Sequence, residues 1–367
     1  MKEKGRYDER DTLFARMAWR EGSPAWEDYY RRNPEKKATD NALRRMPYLG
    51  GPETPTWNPL ASAVIDGVFR LLADWHPQVD RHPDGPGLDL PPEDLRRWVT
   101  GAALHLGADL AATVRMKPEH YYSHRGRKEE FYGKPVEDML PWGVVVAVSM
   151  NPEMVHCAPL APQTAETVRG YLRAAVPSLA LAYAIESAGY RARVHMDGNY
   201  LVTATRVAED AGLGVRGRHG LLITRPYGPS VRLGVITTDM PLTASELDPA
   251  AKAVRAFCSV CGRCASLCPG GAIAADGKEE ASFMPEACYK IWRTLGTDCG
   301  VCISACPFTE GAVDWDTLER AEDPVGFARH AVAGLGDRPF RKKPPAWLEA
   351  RGGDISLEPG NRQKRTS

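Results

Sequence analysis

The chain has 367 residues, and its 47 basic and 47 acidic side chains cancel to a formal net charge of zero at pH 7. This balance argues against nucleic acid or an anionic membrane as the main partner. No apolar run approaches the roughly 20 residues of a membrane-spanning helix, and the N-terminus lacks the apolar stretch of an export signal. We therefore predict a cytoplasmic protein, with the mature form of an exported protein as the alternative.

Residues 1–60 are rich in charge, aromatic rings and proline, which predicts an N-terminal wrapping arm with one or two short helices. Beyond the arm, apolar residues at helical spacing predict helices at 61–76, 92–115, 164–188, 203–211 and near 314–331. Compact apolar runs rich in β-branched residues predict strands at 141–151, 190–195, 219–225 and 231–238, the last two joined by a turn at 226–229. The tail beyond the last helix is polar, and Trp347 is predicted to anchor it.

This alternation of helices and strands predicts an α+β fold, an α/β sandwich that forms the core of a substrate domain. The predicted domains are the arm at 1–60, the substrate domain at 61–245, a cysteine-rich C-terminal domain at 246–312, and a helix with a polar tail at 313–367.

Eight of the nine cysteines lie in two ordered runs. The first run is Cys258-x2-Cys261-x2-Cys264-x3-Cys268-Pro, and the second is Cys288-x10-Cys299-x2-Cys302-x3-Cys306-Pro. This order is typical of two [4Fe–4S] clusters in a ferredoxin-like domain, in which the cysteine before each proline binds the other cluster. The predicted ligand sets are Cys258, Cys261, Cys264 and Cys306 for one cluster, and Cys268, Cys288, Cys299 and Cys302 for the other.

Zinc and disulfides are the alternatives for these cysteines. Structural zinc usually takes separated C-x2-C pairs rather than a triple run closed by Cys-Pro. Disulfides suit a short secreted domain. Two iron–sulfur clusters therefore remain the favoured interpretation, and they indicate one-electron transfer.

Common cofactor motifs do not identify the acceptor of these electrons. No G-x-G-x-x-G run follows a predicted strand, and no G-x4-G-K-[ST] phosphate loop occurs. A cofactor in the substrate domain would therefore be held by shape and backbone contacts.

Several segments resemble the corrinoid-dependent reductive dehalogenases and their relatives, the epoxyqueuosine reductases. They are Arg10–Met17, Met150–Glu153, the run from Ala211 through Arg232, Thr238–Leu242, and Cys288–Trp292 with Asp298–Cys302. The resemblance covers about residues 8–310, and the chain differs from the usual member in being short and in lacking a twin-arginine signal.

The resemblance implies a corrinoid (cobalamin), bound base-off in a nitroreductase-like core at 61–245, with the clusters feeding electrons to cobalt. Reduced cobalt would then remove halide from a small organohalide. The resemblance assigns cofactor contacts to Gly212, Gly214, Arg218, Thr224 and Gly228. It also implies an external electron donor such as a ferredoxin, a flavodoxin or a reductase.

The resemblance further implies a catalytic tyrosine with a polar neighbour and an arginine. The matching positions are Tyr171 as the proton donor, Asn199 as the neighbour and Arg232 as the cation that lowers the tyrosine pKa. A core tyrosine is the alternative for Tyr171, with Tyr183 as the second candidate donor. Asn199 could instead belong to a turn, and Arg232 could pair with a carboxylate.

Two other functions are compatible with these features. One is reduction of epoxyqueuosine on tRNA with the same cofactors, which the neutral charge disfavours. The other is a non-catalytic electron-transfer subunit, which the 250 or so residues before the cysteines disfavour because a carrier needs no such domain.

Overall fold

The structure, a computed structural model, describes residues 5–274, 283–309, 311–341 and 343–349. These residues form a mixed α+β fold around a five-stranded sheet, with a separate two-stranded sheet beside it. The strands are β1 (Asp80–Arg81), β2 (Leu110–Arg115), β3 (Trp142–Ser149), β4 (Ala192–His195), β5 (Val215–Arg216), β6 (Leu222–Ile223) and β7 (Val231–Thr238). The predicted α+β class is confirmed.

The helices lie before, between and after the strands. Up to the last strand they are α1 (Leu13–Ala18), α2 (Pro24–Arg32), α3 (Pro34–Arg45), α4 (Pro59–Asp74), α5 (Pro92–His105), α6 (Pro152–Val155), α7 (Ala161–Ser187) and α8 (Ala204–Asp210). After it they are α9 (Ala251–Cys261), α10 (Arg263–Ser266), α11 (Pro285–Leu295), α12 (Val301–Ser304), α13 (Trp315–Arg320) and α14 (Pro324–Ala333). None of the helices in the described ranges is long and apolar enough to cross a bilayer.

The large sheet has the strand order β1-β4-β7-β3-β2, and each neighbouring pair is antiparallel. Strand β3 is buried on both faces because successive side chains of a strand point in opposite directions. Val144 and Val146 pack into the core under α4, α5 and α7, whereas Val145 packs into the core under α8. A continuous apolar run therefore becomes a central strand between two layers of helices.

Helix α7 crosses the sheet at close range over β7. A Cβ at Gly234 of β7 would collide with the Ser178 hydroxyl, and a Cβ at Gly170 of α7 would lie 2.6 Å from Cγ of Arg232. These glycines let the helix and the strand approach each other. The close contact brings Tyr171, the residue after Gly170, next to Arg232.

The N-terminal arm is more helical than predicted and has a small core of its own. Helices α1, α2 and α3 surround an aromatic cluster that includes Trp19, Trp26 and Tyr29. Arg16 is buried at 3.1 Å from Asp40 and donates a 2.7 Å hydrogen bond to Glu286 of α11. This ion-pair network attaches the arm to the helix that carries Cys288.

Two sequence predictions were wrong in this region of the chain. The helix predicted over 92–115 ends at His105, because Gly107 adopts a left-handed φ of 108° and residues 110–115 pair with β3 as an edge strand. The strand predicted over 219–225 shrinks to β6, which pairs with β5 and not with β7. Reciprocal backbone hydrogen bonds between Thr224 and Gly228 close a tight turn there.

The chain after the cysteines folds back onto α9. Helices α13 and α14 replace the single helix predicted near 314–331, and each begins at an aspartate cap, Asp314 or Asp323. Trp315 and Leu318 pack against Phe257 in one core. Trp347 is 57% exposed and Leu348 is buried, so Leu348 rather than Trp347 anchors the tail.

Candidate functional site

The first set of cysteines lies around one cavity. Helix α9 ends at Cys261, Gly262 reverses the chain with a left-handed φ of 58°, and α10 then carries Cys264. The cavity is lined by Cys258, Cys261, Cys264 and Cys306, together with His219 and Phe257. Cys306 follows α12, so a residue of the second run joins three residues of the first, as the predicted crossed arrangement requires.

The second set of cysteines comes from α11, from the loop before α12, and from α12 itself. Burial and the neighbouring Cys299 and Cys268 raise the pKa of Cys288 to about 12. Burial and the thiols of Cys299 and Cys288 also raise the pKa of Cys302. Cys299 adopts a left-handed φ of 60°, a conformation that L-residues rarely occupy. These electrostatic couplings mean that the four thiols of the second set are close to one another.

Both sets fit an iron–sulfur cluster. All of these cysteines are free thiols, and burial with neighbouring thiols raises the pKa of Cys264 to about 12. Four buried thiolates need a shared positive charge, which iron would supply. The two sets together provide eight free thiols, four for each of two [4Fe–4S] clusters.

His219 borders the first cavity from the turn between β5 and β6. It is buried, and burial lowers its pKa to about 4. Its Nδ1 accepts a 3.1 Å hydrogen bond from the Leu221 backbone, and its Nε2 has no partner among the residues described. Arg218 next to it donates hydrogen bonds of 2.9–3.2 Å to the carbonyls of Cys258, Ser259 and Ala274.

Tyr171 and Arg232 form a pair between α7 and β7. The guanidinium carbon of Arg232 lies 5.4 Å from the centre of the Tyr171 ring. Burial raises the pKa of Tyr171, and the positive charge of Arg232 opposes this rise without reversing it. The phenol is therefore protonated at neutral pH, with a cation beside it that would stabilise the phenolate after proton donation.

A polar network connects this pair to the second cysteine set. Arg232 donates a 2.8 Å hydrogen bond to the Thr167 hydroxyl and lies 3.7 Å from the Asp298 carboxylate. Thr164 and Thr167 each donate a 2.7 Å hydrogen bond to Asp298, the residue before Cys299. Asp298 thus links the cysteine-bearing loop to the helix of Tyr171, and Arg232 has a carboxylate nearby as well as the tyrosine.

Asn199 is both a turn residue and part of a cavity. Its backbone N–H donates to Met196 at 2.9 Å, and its side-chain oxygen accepts a 3.2 Å hydrogen bond from Arg193. The cavity is lined by Glu9, Arg125, Arg127, Lys128, Asn199 and Tyr200. Burial and the neighbouring arginines lower the pKa of Lys128. Three cations and one carboxylate line the cavity, and Arg127 also lies 3.9 Å from the Asp197 carboxylate, so the positive charges are in excess and suit an anionic group.

Tyr183, the second candidate donor, lies elsewhere. It is 43% exposed, its hydroxyl donates a 2.7 Å hydrogen bond to Gln78, and Arg81 stacks on its ring at 4.3 Å. The structure therefore brings Tyr171, and not Tyr183, to Arg232.

The residues assigned to the corrinoid make close contacts within the protein. Gly212 and Gly214 approach the backbones of Glu246 and Ile223 so closely that a Cβ at either position would collide. Thr224 is fully buried and bonds to the Gly228 carbonyl, and a Cβ at Gly228 would meet the backbone of Phe308. Their role toward a corrinoid remains a prediction.

Unpartnered polar atoms on α7 and at the start of β7 fit an amide-rich ligand such as a corrinoid. Gln163 Oε1 and Arg232 Nε are buried without a partner in the described ranges, as is the Ser230 hydroxyl. Buried polar groups of this kind normally have a partner, so a ligand that offers donors and acceptors would satisfy them.

Gln163, Thr167 and Asp298 were missed by the sequence analysis. Gln163, Thr167 and Tyr171 are four residues apart along α7, a spacing that places them on one helix face and that could have identified the first two. Asp298 has no such signal, because its role depends on the packing of α7 against the cysteine-bearing loop.

Comparison with known proteins identifies a domain family and two groups of relatives. Residues 257–312 match the family model of the 4Fe-4S dicluster domain. The chain is 30% identical over 288 residues to the tetrachloroethene reductive dehalogenase of Sulfurospirillum multivorans, which covers 67% of this chain and 56% of that protein. It is 30% identical over 129 residues to the epoxyqueuosine reductase of Lactococcus garvieae (strain Lg2), which covers 32% of this chain and 35% of the reductase.

Two solved structures have the same fold over most of this chain. A reductive dehalogenase studied for B12-dependent dehalogenation matches with a TM-score of 0.64 and 25% identity, covering 80% of this chain and 45% of that one. The catabolic reductive dehalogenase NpRdhA in complex with 3-bromo-4-hydroxybenzoic acid matches with a TM-score of 0.66 and 23% identity. The match covers 89% of this chain and 45% of that one.

The chain spans about half the length of these dehalogenases. The dicluster domain was predicted to be C-terminal, but helices α13 and α14 follow it. The chain is therefore a member of the reductive dehalogenase family, an oxidoreductase homologue that carries a 4Fe-4S dicluster domain and is related to the epoxyqueuosine reductases.

Proposed function

We propose that this protein reductively dehalogenates a small organohalide, with electrons delivered through two [4Fe–4S] clusters and a proton delivered by Tyr171. The observation that carries the proposal is the Tyr171–Arg232 pair, which Thr167 and Asp298 connect to the second cysteine set. The overall change is R–X + 2 e⁻ + H⁺ → R–H + X⁻, so the site must supply two electrons and one proton per halide released.

Each proposed cluster uses the crossed ligand set that the cavity and the thiol couplings support. One set is Cys258, Cys261, Cys264 and Cys306, and the other is Cys268, Cys288, Cys299 and Cys302. The clusters pass electrons one at a time from an external donor toward the substrate domain.

A base-off corrinoid in a nitroreductase-like core would supply the reductive cobalt chemistry at the carbon–halogen bond. Gln163, Arg232 and Ser230 are proposed to hold it through their unpartnered polar atoms. Contacts from Gly212, Gly214, Arg218, Thr224 and Gly228 are part of the same proposal.

Tyr171 acts in this proposal as the general acid at the carbon that loses the halogen. Burial keeps its phenol protonated, and Arg232 stabilises the phenolate that remains after donation. Asn199 orients the substrate from the neighbouring turn.

The basic cavity beside Asn199 favours a substrate with an anionic group. Arg125, Arg127 and Lys128 outnumber Glu9 there, so a carboxylate or phenolate would find complementary charge. The complex of NpRdhA with 3-bromo-4-hydroxybenzoic acid provides a probe of this chemistry.

The proposal is tested by assaying halide release under anaerobic conditions. The protein, supplied with a corrinoid and reduced by a low-potential viologen, would be offered 3-bromo-4-hydroxybenzoic acid, tetrachloroethene and an epoxyqueuosine stem-loop RNA in separate reactions. We expect bromide release with the brominated acid, slower release from the neutral alkene and no reduction of the RNA. Reduction of the RNA alone would establish the epoxyqueuosine function instead, and no turnover of any of the three would favour an electron-transfer subunit.

A further inference from the structure

His219 has one ring nitrogen engaged and the other unsatisfied. The Leu221 backbone N–H donates to its Nδ1 at 3.1 Å, so Nδ1 carries no proton and the proton of the neutral ring is on Nε2. Nε2 is buried and has no partner among the described residues. The Nε2–H of His219 is therefore a buried hydrogen-bond donor without an acceptor among the described residues.

A second buried histidine shows that this arrangement is particular to His219. In His195, Nδ1 likewise accepts a 3.1 Å hydrogen bond from a backbone N–H, that of Leu201. Its Nε2 is satisfied by the Thr237 hydroxyl at 3.0 Å. His195 is thus complete within the protein, whereas His219 lacks the partner that buried polar groups normally have.

The space beside His219 is the cavity of the first cysteine set. His219 lines that cavity together with Cys258, Cys261, Cys264 and Cys306. The turn that carries it is rigidly held, because Gly217 donates to the Leu221 carbonyl at 2.9 Å and Arg218 donates to the carbonyls of Cys258 and Ser259. The ring is therefore held at the wall of the cavity that these four cysteines line.

We propose that the Nε2–H of His219 donates a hydrogen bond to a sulfur atom of the cluster held by the first cysteine set and raises the reduction potential of that cluster. The reduced cluster carries one more negative charge than the oxidised one, so a donor aimed at its sulfur stabilises the reduced form. The inference rests on the proposed ligand set, but it requires neither a corrinoid nor an organohalide.

The test is a redox titration of the full-length protein, purified anaerobically and followed by electron paramagnetic resonance. In His219→Phe we expect the midpoint potential of one cluster to fall while the other stays at its wild-type value. His219→Gln retains an N–H donor of similar reach and should recover most of the shift. The proposal would be overturned if both clusters of an iron-replete His219→Phe protein kept their wild-type midpoint potentials.

A measurement on the wild type covers the case in which the variants do not assemble their clusters. Protein labelled with ¹⁵N-histidine should show nitrogen hyperfine coupling to one reduced cluster, together with a coupled proton that exchanges in D₂O. The signal should be missing from Cys306→Ser, which lacks a ligand of that cluster. A wild-type spectrum without the nitrogen coupling would contradict the hydrogen bond. The proposed function would not be affected by that result, because dehalogenation is measured separately.

Discussion

Two regions of the molecule differ in how the chain builds them. One is the cysteine-bearing segment from Cys258 to Cys306, and the other is the seam formed by Tyr171, Arg232 and Asp298. All eight proposed cluster ligands lie within 49 residues, from Cys258 to Cys306. The seam instead joins Tyr171 on α7, Arg232 on β7 and Asp298 in the loop before α12. The cysteine-bearing segment can be identified from the spacing of residues along the chain. The seam forms only when the sheet, the helix and the loop pack together.

This difference implies different sensitivities to substitution. A cluster needs its full set of thiolates, so the loss of one ligand affects iron content directly. The seam depends on hydrogen bonds and charge between side chains, so substitutions there should alter rates and stability while both clusters remain. The following predictions test that contrast.

The largest effect is expected from Cys306→Ser. Because Cys306 lines the cavity of the first run, its loss should damage that cluster and leave the cluster of Cys288, Cys299 and Cys302 intact. Iron content should fall from about eight toward about four per chain, with one of the two cluster signals retained. Iron analysis and electron paramagnetic resonance measure this. Loss confined to the cluster of the second run would contradict the crossed ligand sets.

Tyr171→Phe should keep both clusters and lower dehalogenation by about 10²- to 10⁴-fold, the usual contribution of general acid catalysis. The reason is that phenylalanine fills the same space without the phenolic proton. Steady-state halide release per mole of intact clusters measures the effect. Tyr183→Phe is the matched control, since its hydroxyl bonds to Gln78 on the surface, and it should retain wild-type turnover. Full activity in Tyr171→Phe would remove Tyr171 from the mechanism.

Arg232→Gln should lower turnover by about tenfold, because roughly 1.4 kcal/mol of charge-assisted stabilisation of the phenolate is lost. Its pH dependence has a definite sign. Burial already raises the pKa of Tyr171, so the wild type should show no alkaline loss of activity from this group below pH ~10. Removal of Arg232 takes away the charge that lowers this pKa, so any alkaline limb should move to higher pH. A limb that moves to lower pH in the pH–rate profile would contradict the assignment.

The smallest effect is expected from Asp298→Asn. This change weakens the hydrogen bonds from Thr164 and Thr167 to a charged acceptor, which should reduce the free energy of unfolding by about 1–2 kcal/mol. Anaerobic urea unfolding measures the difference. Asp316→Asn is the control, because Asp316 is an exposed partner of Arg225 and such pairs contribute about 0–1 kcal/mol. Equal midpoints for the two variants would show that Asp298 does not connect the regions.

The 4Fe-4S dicluster domain and the central strand and helix were predicted from the sequence, because both depend on local pattern. Strand β3 and helix α7 have apolar patterns that persist over 8 and 27 residues. The prediction failed where tertiary pairing overrode local propensity. Residues 110–115 continue an apolar helical pattern, yet they form an edge strand because β3 offers a partner.

The seam could be predicted only in part. Tyr171, Asn199 and Arg232 followed from resemblance, and the structure brings Tyr171 next to Arg232. Asp298 and the basic cavity could not be found in the same way, since both join segments at least 66 residues apart. Local sequence carries no information on which of several arginines and aspartates will meet across such distances.

The central claim, that two clusters serve a dehalogenation site in this chain, is tested most directly by measuring iron, cobalt and released halide in one anaerobic sample supplied with corrinoid, reductant and 3-bromo-4-hydroxybenzoic acid. We expect about eight irons and one cobalt per chain, with one bromide released for each debrominated product. Eight irons without bound cobalt or bromide release would contradict this account and identify the protein as an electron carrier.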